Sequence, residues 1–105
     1  MTAQLSLEEL SKANSQERMN IFRRYFAASR YNRLLIQQTL VRSAQDSSLA
    51  SKVNDMEKAH NKDFFDTTMM LRKSNYFKEF LAAVSEEDVA LSKIIEAYDK
   101  RMNRG

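Results

Sequence analysis

The chain has 105 residues, 43% apolar and 30% charged, with a formal net charge of +3. That is the balance of one globular domain and not of a disordered chain, and so small a charge singles out no class of partner. There is no cysteine, no proline and a single glycine, at position 105; this excludes disulfides, thiol chemistry, cysteine-held metal, a turn-rich β fold and a glycine-rich phosphate cradle.

What remains is rich in Ala, Leu, Glu, Lys, Arg, Gln and Met, the strong helix formers. An all-α fold is predicted, as one domain over residues 1–105. Residues 1–14 form an N-terminal arm. Its opening, MTAQLSLEEL, has neither the basic start nor the apolar run of a secretory signal. No stretch reaches the roughly 18 apolar residues of a membrane span. A cytoplasmic location is expected. Ser6-Leu7-Glu8-Glu9 has capping-box spacing and predicts a short helix to about Ala13. Leu7 and Leu10 are its expected anchors, and Leu5 the staple before the cap.

Asn14-Ser15-Gln16-Glu17 repeats the capping-box pattern and predicts a long helix over 15–45. Residues 18–42 of it hold six arginines and no acid. Residues 1–45 carry seven cations against three acids, whereas the remainder carries ten against eleven. The basic excess therefore belongs to this helix. At 100° per residue Phe22, Ile36 and Leu40 share a face, flanked by Met19, Tyr25 and Phe26. Ile21, Ala28 and Leu35 widen it, Tyr31 lies beyond them, and Leu34 and Val41 fall nearly opposite. So broad a band predicts a central helix that also touches something outside its own bundle. Arg23 and Arg30 share one side, Arg24 and Arg42 another. Arg18 and Arg33 fall among apolar residues, where burial demands an acid such as Asp63, Asp66 or Glu57.

Asp46-Ser47-Ser48 is a turn cluster, and the next helix is predicted over 48–73. Leu49, Val53, Met56, His60, Phe64, Thr67 and Leu71 recur every three or four residues and form its buried stripe. A third arm spans 75–104, broken near Ser85, where Ser85-Glu86-Glu87-Asp88 reads as a cap followed by acids in a first turn. Beyond it Leu91, Ile94, Ile95, Tyr98 and Met102 share a face. Short links between long helices predict antiparallel neighbours, hence an up-down-up bundle of three arms.

Three features bear on function. Glu57-Lys58-Ala59-His60 has the Glu-x-x-His spacing of carboxylate-bridged metal bundles. Such a site needs two of these motifs, and the chain has one histidine, so His60 is read as a core residue hydrogen-bonded to a neighbour. No catalytic residue, metal or cofactor is expected, and no small-molecule substrate. The second feature is surplus apolar surface: Phe65 and Met69 lie away from the buried stripe, and Tyr76 and Phe77 follow. The third is the arginine-rich helix.

The function expected is a non-catalytic protein–protein interaction module, a small helical adaptor, chaperone-like or regulatory subunit that self-associates as a homodimer. Its partner-binding residues are Phe22, Phe26, Tyr31, Phe65, Met69, Tyr76 and Phe77. The alternative is a nucleic-acid-binding regulator using Arg23, Arg24, Arg30 and Arg42.

Overall fold

The computed structural model describes residues 5–104; residues 1–4 of the expected N-terminal arm and Gly105 lie outside the described residues. Five helices and no strand occupy the described residues: α1 (Leu7–Ser11), α2 (Ser15–Ser43), α3 (Ser48–Arg72), α4 (Phe77–Glu87) and α5 (Val89–Arg104).

The helix starts follow from local side-chain chemistry. The Ser6 hydroxyl accepts from Glu9 N at 3.4 Å. Asn14 Oδ1 accepts from Glu17 N at 2.9 Å, and Glu17 Oε1 accepts from Asn14 N at 3.3 Å, a complete capping box. At the α2–α3 turn, Asp46 Oδ1 accepts from Ser48 N at 3.1 Å and from the Ser48 hydroxyl at 2.6 Å. These bonds, the hydroxyl's first, hold the Asp46 carboxyl below its ordinary pKa.

α2 and α3 form an antiparallel hairpin. Tyr25 of α2 meets Asp63 of α3, and Asn32 further along α2 meets His60 earlier in α3. α4 lies beside the first half of α2 and runs with it: Arg18 pairs with Glu79, Arg23 with Glu86, and Arg30 with Glu87. Phe80 of α4 is the hub of the core. Its ring packs against Phe22 at 5.7 Å between centroids, Phe26 at 5.8 Å and Phe64 at 6.5 Å. Leu10, Ile21, Tyr25, Leu71, Ala83, Val84 and Ile95 complete the buried cluster, and Leu5 packs half-buried against it.

The third arm differs from the expected broken rod. α4 continues through Ser85 to Glu87, and the chain reverses at Asp88, whose backbone is extended (φ −159°, ψ 100°). Asp88 Oδ1 accepts from Leu91 N at 3.1 Å, so Asp88, not Ser85, caps the final helix. Glu86 and Glu87 therefore end α4, where the helix dipole disfavours acids. Arg23 and Arg30 of α2 offset that by pairing with them. After the reversal α5 folds back along α4, with Ser85 and Ser92 at one level and Phe77 and Asp99 at another. The molecule has four long elements where three arms were expected.

Arg18 is one of the two arginines placed among apolar residues, and its acid is none of those expected. Its Nε donates to Glu79 Oε1 at 2.8 Å, its Nη1 to the Ala13 carbonyl at 2.7 Å, and its guanidinium lies 5.0 Å above the Tyr76 ring. α4 brings Glu79 into reach, whereas Asp63 faces Tyr25. Leu40, placed on the Phe22 face of α2, is 54% exposed. The α4–α2 ion pairs end at Arg30, so no α4 ion pair reaches the part of α2 that carries Leu40.

Candidate functional site

α3 and α5 run side by side in the same direction. They are tied at their C-terminal ends, where Arg72 Nε donates to Asp99 Oδ1 at 2.6 Å and Arg72 Nη2 to Asn103 Oδ1 at 2.9 Å. From there toward the start of α5 a groove of about 440 Å³ lies between them. Phe64, Phe65 and Met69 line its α3 side, and Leu91, Ile94 and Tyr98 its α5 side. Phe65 is 54% exposed and Ile94 65% exposed, although both are large apolar residues. Thr68 and Ile95 also line the groove, and both are largely buried. The Thr68 hydroxyl has no hydrogen-bond partner.

The polar lining is cationic or neutral. Arg33 comes from α2, Arg101 from α5, and His60 and Asn61 from α3; no acidic residue lines the groove. His60 Nδ1 lies 3.0 Å from Asn32 Nδ2. With the amide as donor, the neutral ring carries its proton on Nε2. Burial, then the nearby Arg33 guanidinium, push the His60 pKa below its usual value, and Asp63 pulls the other way. One helical turn along α3, the Tyr25 hydroxyl donates to Asp63 Oδ2 at 2.9 Å. Burial above all raises the pKa of this phenol.

The sequence-predicted site residues separate into three groups. Phe22 and Phe26, expected at a partner surface, are instead in the core, 0% and 7% exposed, and pack on Phe80. Tyr76 and Phe77 are half-buried against the same core, and Tyr76 lies beneath Arg18. Tyr31 is exposed on α2, in a shallow hollow between α2 and α3 that Met56 and Ala59 also line. Phe65 and Met69 alone are brought together at the α3/α5 groove.

The arginines divide as well. Arg23 and Arg30 are engaged by Glu86 and Glu87. Arg24 and Arg42 are exposed and stand 18 residues apart, about 27 Å along the helix. Glu57 is exposed, and no group of three potential metal ligands gathers among the described residues. No described helix is long and apolar enough to cross a membrane.

Sequence reasoning missed the α5 wall. Leu91, Ile94, Ile95, Tyr98 and Met102 share a face by periodicity, yet Ile95 is buried while Ile94 and Met102 are exposed. The available signal was the breadth of that face, wider than one helix neighbour covers. Arg33, placed by the helical spacing among apolar residues, is exposed and borders the groove.

Comparison with protein-family models, with curated proteins and with solved structures finds no match to this chain. The functional reading rests on the groove itself. Chemically, that groove can bury apolar side chains and attract negative charge.

Proposed function

We propose that this protein is a non-catalytic protein-interaction module, a helical adaptor or regulatory subunit, and that the α3/α5 groove is its docking site. One observation carries the reading: Phe65 and Ile94, each more than half exposed, come from different helices to line a single groove. Exposed apolar surface gathered in this way marks contact sites more often than scattered exposed residues do. Self-association as a homodimer draws on the same surplus. The radius of gyration is 15.7 Å, against about 13 Å for a compact chain of this length. Beyond Arg30, α2 projects past α4 paired with α3, and leaves Leu34, Leu40 and Val41 exposed.

The nucleic-acid alternative has less behind it. Two of its four arginines are held by glutamates, and the other two are far apart. Phosphate readers instead gather cations on one face.

The test is a comparison of the tagged wild type with Phe65→Ser plus Met69→Ser in nuclease-treated lysate. The docking role predicts a stoichiometric protein retained by the wild type and lost by the variant. Retention by both, or by neither, sinks it. Binding to nucleic acid that weakens steeply with salt would shift the reading to the arginine helix.

A further inference from the structure

We infer that the partner taken by the α3/α5 groove is an amphipathic helix of about three turns with acidic residues at both ends. The inference rests on the docking role proposed above and adds the chemistry of the occupant.

Groove dimensions set the length. Its lining runs from Leu91 to Arg101 on α5 and from His60 to Met69 on α3. At 1.5 Å per residue these are walls of about 15 Å and 14 Å, the span of a helix of ten or eleven residues. Between the polar residues at its ends the lining is largely apolar, with Phe64, Phe65 and Met69 on α3 and Leu91, Ile94 and Tyr98 on α5. The occupant therefore needs apolar anchors at i, i+3 or i+4, and i+7.

Charge sets the sign. Arg33 stands at the His60 end of the groove, and Arg101 follows Tyr98 toward the other end. Neither takes part in an ion pair among the described residues, whereas Arg18, Arg23, Arg30 and Arg72 all do. Glu87 and Asp88 line the hollow next to Arg33, but Glu87 pairs with Arg30 and Asp88 caps α5. An acid at each end of an incoming helix therefore meets a guanidinium that is in no ion pair among the described residues. A second copy presenting the same face brings Arg33, Arg101 and no acid from its own groove lining, and like charges across an interface are repulsive. Complementarity therefore favours an acidic partner over self.

The experiment uses the full chain and three synthetic helical peptides. All carry Leu at the anchor positions and differ only at their ends, which bear Glu, Gln or Lys. Fluorescence anisotropy gives the affinities. The Glu-ended peptide should bind roughly tenfold more tightly than the Lys-ended one. That margin should shrink as salt is raised. Arg33→Glu plus Arg101→Glu should invert the order. Both positions are exposed, and circular dichroism of the variant confirms that it folds.

Equal binding of the three peptides keeps the docking role and overturns the acidic partner. If no peptide binds, and the wild type forms a dimer in sedimentation equilibrium that Phe65→Ser abolishes, the occupant is a second copy and the inference falls. If no peptide binds and the wild type is monomeric, the inference and the docking role fall together.

Discussion

Arg72 donates to Asp99 at 2.6 Å, with side chains only 12% and 22% exposed, and among the described residues this is the ion pair that joins α3 to α5. It ties the two helices at their C-terminal ends, beside the groove that Met69 and Arg101 line. Arg72→Ala leaves the Asp99 carboxylate half-buried without its cation. The expected loss is about 2 kcal/mol of stability, less than for a fully buried pair because some solvent reaches both groups. Chemical denaturation checks the size. The double variant with Asp99→Ala should lose less than the sum of the two single losses, because the partners interact directly.

Tyr25 and Asp63 make the corresponding link between α2 and α3. Tyr25→Phe removes one hydrogen bond to a charged acceptor and leaves the ring packing in place. A loss of about 1.5 kcal/mol is expected. The pH dependence has a definite sign. The phenol's pKa is raised in the folded chain above its ordinary 10.0. The unfolded chain therefore loses this proton first as pH rises, and stability falls above pH 10.0. Denaturation of wild type and Tyr25→Phe across that range should show the shallower decline in the variant.

His60 acts at the other end of the scale. Its folded pKa lies below the ordinary 6.5, through burial first and the Arg33 charge second, with Asp63 opposing. The unfolded chain takes up this proton more readily. The contribution of neutral His60 is therefore fully present above pH 6.5 and is lost as pH falls below it. Protonation at Nδ1 also sets a second donor against the Asn32 amide. His60→Gln should flatten the decline in melting temperature between neutral and mildly acidic pH. A variant that keeps the wild-type slope would assign the decline to another group.

Thr68 offers a substitution that should do no harm. Its hydroxyl is buried without a partner, so the chain bears a desolvation cost with no hydrogen bond in return. Thr68→Val keeps the shape and removes the orphaned group. The expected result is unchanged stability or a gain of up to about 1 kcal/mol. A loss of similar size in thermal melts would mean that the hydroxyl is satisfied in solution, for example by water.

The sequence by itself determined the helical class and where the first helices begin. Capping depends on residues three apart, and Ser6 and Asn14 carry it whatever lies around them. It also determined the inward stripe of α3, because a 3.6-residue period orders one helix's own faces; Val53 and Leu71 are buried on it, and its other members are half-buried. Tertiary structure decided the rest. The reversal falls at Asp88 and not at Ser85 because α4 gains Arg23 and Arg30 as partners for its last two residues. Those residues are more than fifty positions away, and no local pattern contains them. Phe22 and Leu40 share one face of α2, yet Phe22 is buried and Leu40 is 54% exposed, because the α4 ion pairs reach only as far as Arg30. Phe65 and Ile94 became one site for the same reason. Periodicity assigns each residue to a face of its own helix, and only the packing of helices decides which faces meet and which stay open.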